Sequence, residues 1–470
     1  MTSLMTELIY LTGILGTLCL AIGRGERPRR WALGLGLLTA VAAAIASACS
    51  SGSVTELFGG TYRVDPLSQG YKAVIASALA VCLWLTERGP SESRRVEVYL
   101  FYLCSALGLT LMTGSTGFVS LYVAMELSSY SLYLLAASRE DRRATEGALR
   151  YLLTGAIASG VFLWGVSILC GLTGGATFAA LTQAAPALTS DPLFIGALAL
   201  TSFAFLFKLS AFPVHFWAPD AYQSAPLAAT TLIATASKAG AVAVISRFLI
   251  ASGVPVAFAG WTGLLAFVSM TLGNTAALHQ ADVKRLLAYS SIAQAGYILT
   301  GLLAGTADGY SSAFFYATVY ALMNCGAFLV VSAVAADAKN DNPTVRHFDG
   351  LADRQPFLAL VLLLSLLSLA GIPPLAGFTG KWVLFSAAMD QGHWFLVLWG
   401  VLNSVVSLFY YLTLVKHSYL EKAPAGSQPL RLTPVTRLLA LAIFAGLVFL
   451  GVYPTPLIEY ARSAVSAIAG

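Results

Sequence analysis

Four ionisable residues sit in segments where ionisable residues are rare. Glu126 lies in LYVAMELSSYSLYLL, Lys208 in FAFLFKLSAF, Lys238 in LIATASKAGAVAV and Lys381 in AGFTGKWVLF. If these apolar runs cross a bilayer, each embedded charge costs about 2.5–3.5 kcal/mol. Together the four oppose folding by on the order of 10 kcal/mol, comparable with a typical domain's net stability. Proton exchange is the chemistry that explains keeping them. Burial disfavours the charged form of a lysine and a neighbouring carboxylate favours it again, so small movements switch a lysine held between the two. Arginine stays protonated and would not serve. All three embedded cations are Lys, in a chain whose loops carry many Arg.

Two blander readings compete. Snorkelling, in which an amine reaches back to the headgroups, is geometrically open to Lys208, five residues before Pro213. It fails for Lys238, which at about ten residues from either helix end lies about 15 Å deep. A static ion pair of Glu126 with one lysine still leaves two amines unexplained.

The elements that must position these groups follow from composition. Of 470 residues, 57% are hydrophobic and 10% charged. A soluble domain carries about 25% charged residues, and a disordered chain has the opposite balance, so both classes are excluded. A spanning helix needs roughly 20 mostly apolar residues. That length predicts fourteen spans, at about 4–22, 31–49, 70–86, 97–113, 117–137, 148–172, 193–213, 225–247, 255–278, 286–304, 310–335, 356–389, 393–415 and 434–453. The first reads as a true span, because it lacks the basic flank and cleavage site of a signal peptide. Segment 51–65 flanks Gly59-Gly60 with alternating residues and predicts a small hairpin outside the membrane.

Twenty of the 27 basic residues follow odd-numbered spans, among them Arg24, Arg88, Arg94, Arg95, Arg139, Lys284 and Lys416. The other side holds Arg63, Lys72, Arg247 and Arg462. Cytoplasmic loops are rich in Lys and Arg, so both termini are expected on the non-cytoplasmic side of a multi-pass membrane protein. Outside the embedded four, the remaining charges are expected in loops or at helix ends, touching water. The net charge of +5 then reflects topology and not nucleic-acid binding. Six scattered cysteines without CxxC, five dispersed histidines and the lack of GxGxxG or Walker sequences predict no cofactor or metal bound by this chain.

Two spans are interrupted. The seventh runs KLSAFPVHFWAPD and the twelfth SLAGIPPLAGFTGKW. Proline breaks a helix, and within a membrane such breaks survive only where protein or a water-filled cavity lines them. Spans 4–8 and 9–13 form two five-helix units with a break in the fourth helix of each. An odd number of helices makes successive units inverted, as in transport proteins. The predicted organisation is an N-terminal three-helix segment (1–96), a first repeat (97–250), an inverted second repeat (255–418), and a C-terminal loop and last helix (419–470). Ser210, His215, Thr235, Ser237, His279, Ser290, Ser291, Gln294, Tyr316, Tyr320, Asn324, Ser365, Ser368 and Thr379 cluster about this axis. His215, beside the seventh-span break, is a candidate relay and equally a helix-end cap.

FKLSAFPVHFWAPDAYQSAPLAATTLIATASKAG, HQADVKRLLAYSSIAQAGY and LSLAGIPPLAGFTGKW resemble the antiporter-like membrane subunits of respiratory NADH–quinone oxidoreductase. The ATASK lysine and YLLTGAIASGVFLWGVSILCGLTGG look most like the subunit N (subunit 2) branch, and the resemblance covers nearly the whole chain. It implies that Glu126 modulates the charge of Lys208, that Lys238 connects, and that Lys381 lies on the exit side. Quinone reduction in a neighbouring subunit would drive protons out of the cytoplasm. NAD, FMN, iron–sulfur clusters and quinone would belong to partner subunits. Partners would include another antiporter-like subunit and small membrane subunits, within the cell (inner) membrane. A multisubunit Na⁺/H⁺ antiporter, a ferredoxin- or deazaflavin-linked relative, and a scaffold with static ion pairs remain as alternatives.

Overall fold

Helices begin where the sequence supplies caps. Asp65 accepts the Ser68 N–H at 2.8 Å and Pro66 opens the Pro66–Leu85 helix. Asp141 caps Arg142–Thr173 through Ala144 N at 2.7 Å, and Asp282 caps Val283–Leu303 through Arg285 N at 3.0 Å. Each side-chain oxygen satisfies a backbone donor that lacks a partner in the helix itself. The computed structural model describes residues 2–22, 27–50, 52, 54–87, 96–139, 141–253, 256–424 and 426–469. Arg24, Arg88, Arg94 and Arg95, with Ser51 and Ser53 of the expected hairpin, lie outside the described residues.

Among the described residues, 12 helices are long and apolar enough to cross a membrane. Val256–Ala277 occupies the ninth predicted position, and Pro356–Ala370 with Ala376–Asp390 the twelfth. Leu227–Ser252, which carries Lys238, is buried along its length except at Ile250. Outward-facing Val119, Val123, Ile157, Trp164, Val405 and Phe409 are exposed, as a lipid-facing surface requires. The hairpin is present: Thr55–Leu57 pairs antiparallel with Tyr62–Val64 across a turn holding Gly59 (φ 66°) and Gly60 (φ 82°).

Both breaks have one geometry. After Leu209, Ser210 turns left-handed (φ 60°) and Ala211 N donates to Leu206 O at 2.9 Å. After Ala370, Gly371 does the same (φ 90°) and Ile372 N donates to Leu367 O at 3.0 Å. Left-handed termination with this back-bond ends a helix firmly. Helix resumes at Trp217 and at Ala376. Close packing repeats as well. A Cβ on Gly108 would stand 2.5 Å from Ser128 N, and one on Gly273 2.5 Å from Ala293 N, so in both places two successive helices touch backbone to backbone. Gly273→Val should therefore force Val256–Ala277 off Val283–Leu303 and cost about 1–3 kcal/mol. A melting temperature equal to wild type in detergent would contradict this packing.

Three findings depart from the sequence reading. Phe178–Leu188 and Thr455–Ala469 are helices where none was expected. Both are too short to span. The second buries Ala461, Ala464 and Val465, and Tyr460 Oη donates to Pro66 O at 2.7 Å. The eighth span is two helices, Leu227–Ala234 and Ala236–Ser252, parted at Thr235 (φ −113°, ψ −81°). Finally, not every remaining charge touches water. Glu7, Asp65, Lys72, Arg247 and Lys284 are each at most 4% exposed. The hairpin and the Thr455–Ala469 helix cover the helix ends that would otherwise be wet: Tyr62 Oη donates to Glu7, and Arg63 donates to Ala467 O at 2.9 Å. There Glu7 pairs with Lys72 at 2.6 Å and Asp65 with Arg247 at 2.6 Å. Lys284 donates to Ala225 O at 2.6 Å.

Candidate functional site

Lys208 stands in the last turn of Pro192–Leu209, just before the break, and is 3% exposed. Its Nζ donates to Ser128 Oγ at 3.1 Å, on the Phe118–Ala136 helix that also carries Glu126. Glu126 is half-buried and accepts from Ser159 Oγ of Arg142–Thr173. Among the described ion pairs, none joins Glu126 to Lys208. Each group is instead bonded to a serine, Lys208 to Ser128 and Glu126 to Ser159.

Lys238 and Lys381 share a feature that spacing alone does not show. Lys238 Nζ donates to Leu209 O at 2.8 Å and to Ser291 O at 3.1 Å. Lys381 Nζ donates to Ala370 O at 2.9 Å and to Ser404 Oγ at 3.1 Å, and lies 4.4 Å from the Tyr297 ring centroid. Leu209 and Ala370 are the last residues of the two interrupted half-helices. A helix C-terminus carries partial negative charge on carbonyls without intrahelical partners, which suits a cation. Each amine thus finds a backbone acceptor at a half-helix end and no carboxylate, and an aromatic face lies beside Lys381.

Around them, Ser290, Ser291, Gln294, Tyr316 and Tyr320 of the expected polar cluster do meet. Tyr320 Oη donates to Ser291 Oγ at 2.8 Å, and Tyr222 Oη lies 3.2 Å from that same oxygen. His279 is exposed at the helix end, bonded to Thr275 O at 3.1 Å, and stands apart from them. His215 is 3% exposed, packs 4.1 Å from the Phe216 ring, and has a buried Nδ1 without a hydrogen-bond partner. No hydrogen bond among the described residues joins it to a lysine. Ser128, Ser159, Ser404, Tyr297 and Tyr411 also belong to the site and were not singled out by sequence. Ser128, two residues after Glu126, and the paired tyrosines 410–411 inside an apolar span were the available signals.

A polar cavity of about 370 Å³ opens beside the Trp217–Ser224 half-helix, lined by Arg139, Arg143, Glu146, Arg150, Asp220 and Gln223. Asp220 is held between Arg150 and Arg285, the latter at 2.7 Å. Its basic residues are those of the loops expected on the cytoplasmic side.

The sequence profile described as NADH:quinone oxidoreductase/Mrp antiporter, TM, matches residues 115–407. NADH-quinone oxidoreductase subunit N 2 of Syntrophobacter fumaroxidans is 41% identical over 470 residues, covering 99% of each chain. A chain of respiratory complex I from Thermus thermophilus superposes with a TM-score of 0.86 at 32% identity, over 97% of this chain and 100% of that one. A chain of the Mrp complex from Dietzia superposes with a TM-score of 0.87 at 22% identity, over 100% of this chain and 97% of that one, which shows a shared fold.

Proposed function

The chain belongs to the NADH:quinone oxidoreductase/Mrp antiporter membrane family, as a subunit of the N type, and we propose that it carries protons across the membrane for a NADH–quinone oxidoreductase. It is a multi-pass subunit of a multisubunit respiratory complex. NADH, flavin, iron–sulfur and quinone chemistry then resides in partner subunits, and another antiporter-like chain and small membrane subunits flank this one. Both termini lie on the non-cytoplasmic side of the cell membrane, in keeping with the bias of basic residues.

In this reading, protons enter from the cytoplasm through the cavity above Asp220 and load Lys208, whose charge answers to Glu126. They pass by way of Lys238 to Lys381 and leave on the opposite side. The chain performs no redox step. It holds and releases protons at amines while chemistry elsewhere in the complex shifts Glu126. The observation that carries the proposal is the seating of Lys238 and Lys381 on the last carbonyls of two interrupted half-helices, at 2.8 and 2.9 Å. That arrangement joins a proton-exchanging group to a carbonyl the helix itself leaves unpaired, so a change of charge and a small movement of the half-helix end favour one another.

The test is Lys381→Met in the assembled complex, in inverted membrane vesicles, with protons translocated measured per NADH oxidised. The expected result is a several-fold loss of proton translocation with the complex still assembled. Wild-type stoichiometry would overturn the proposal. The Syntrophobacter relative and the Thermus thermophilus chain, both above 30% identity, belong to respiratory oxidoreductases, whereas the Mrp chain matches at 22% identity and shows the fold alone.

A further inference from the structure

Between Lys238 and Lys381 lie buried polar side chains that change from hydroxyl to carboxamide, at Gln294 beside the interrupted helix and at Asn274 on the Tyr410 and Tyr297 side. On the Lys238 side they are hydroxyls: Ser290 Oγ with Tyr411 Oη, and Ser291 Oγ with Tyr320 Oη and Tyr222 Oη. A hydroxyl donates and accepts at one atom, so it passes a proton along. Gln294 comes next. Its Nε2 donates to Leu369 O at 3.0 Å and points to Tyr411 Oη at 3.5 Å, while its Oε1 accepts from Tyr316 Oη. Leu369 O can only accept, which fixes the amide orientation. A carboxamide keeps donor and acceptor on different atoms, so it does not relay a proton as a hydroxyl does. Gln294 is 1% exposed, and Leu369 precedes Ala370, the residue whose carbonyl holds Lys381.

We infer that Gln294 is the gate of the proton path, a non-relaying plug between the Lys238 hydroxyl cluster and Lys381 that conducts only when its amide leaves Leu369 O and water takes its place. The inference rests on the lysine-axis reading and adds to it the point at which the two halves are insulated. Gln294 and Lys381 cap consecutive carbonyls of one interrupted helix. A shift of that helix end when Lys381 changes charge therefore moves the plug, and back-flow is blocked between transfers. Gln294 is a positioning residue here: it holds the path shut and carries no proton.

The contrast that tests this is between replacements that relay and one that does not. In the whole complex, in vesicles, Gln294→Met fills a similar volume without hydrogen bonds, while Gln294→His supplies a ring that relays. Expected is at least a threefold loss of NADH-driven proton translocation in Gln294→Met, with assembly intact. Gln294→His should keep translocating while passive proton leak, measured with turnover stopped, rises at least threefold above that of Gln294→Met. Gln294→Glu serves as the relaying variant if Gln294→His does not assemble. A merely structural amide would not separate relaying from non-relaying side chains. Wild-type translocation in Gln294→Met, or equal leak in the two variants, overturns the gate. If Lys381→Met stops translocation in the same vesicles, the lysine axis stands without it. If Lys381→Met translocates normally, both fall.

Discussion

Lys208→Met should leave the complex assembled and lower its proton translocation at least tenfold. The side chains have nearly the same length, and Met removes a desolvated charge, so folding has little to lose at a site whose amine has only Ser128 Oγ as its described hydrogen-bond partner. What disappears is the group proposed to take up and give back the proton. Lys208→Arg is the decisive companion. It preserves positive charge at the end of Pro192–Leu209, so a static anchor would tolerate it. A guanidinium does not release its proton at the pH of the cell, so proton exchange would not. Both variants are expected to fail in vesicle acidification, and normal pumping by Lys208→Arg would sink the exchange mechanism. Glu126→Gln should give a smaller loss, because among the described residues Glu126 is bonded to Ser159 and makes no direct ion pair with Lys208.

Arg247→Ala should have the largest effect on stability. Arg247 donates twice from one nitrogen to the Asp65 carboxylate, at 2.6 and 2.7 Å, and its Nε donates to Thr113 O at 2.6 Å. Asp65 is 0% exposed and Arg247 3%. Truncation leaves the buried carboxylate only the longer contact to Arg63 at 3.8 Å and the Ser68 N–H, at a cost of about 3 kcal/mol, a large part of a membrane domain's stability. The subunit is expected to vanish from the assembled complex, or to unfold at markedly lower temperature when purified. Asp65→Asn with Arg247→Met should recover most of that loss. The pair of charges is then gone, while Asn still caps the Pro66–Leu85 helix through Ser68 N. If the double variant is as unstable as Arg247→Ala alone, the charge argument is wrong and lost packing is the cause.

Much of this protein was legible before any coordinates. An apolar run of membrane thickness has only helix open to it, because unpaired backbone in hydrocarbon is too costly, so hydropathy alone yields the helical plan. Pro213, Pro373 and Pro374 mark the interruptions, since proline removes a helix donor wherever it stands. Glu126, Lys208, Lys238 and Lys381 stand out because charge at that depth is expensive in any fold. Thr455–Ala469 and Phe178–Leu188 escaped because each is shorter than a span and gains its helix from packing on neighbours.

What only tertiary structure decided is which groups meet. Depth in the membrane is a property of position along one helix, whereas contact depends on the rotation and tilt of several. Sequence therefore identified Lys238 and Lys381 as embedded but not that they hold Leu209 O and Ala370 O. It gave Gln294 as one polar residue of many, and packing set it between two hydroxyls and a helix end. It read Lys72, Arg247 and Lys284 as wet because they lie near helix ends; the hairpin and the Thr455–Ala469 helix bury the first two, and Lys284 is turned inward onto Ala225 O. The cost of burying a charge is local and legible in one dimension. The partner that offsets it comes from elsewhere in the chain and is fixed only by the fold.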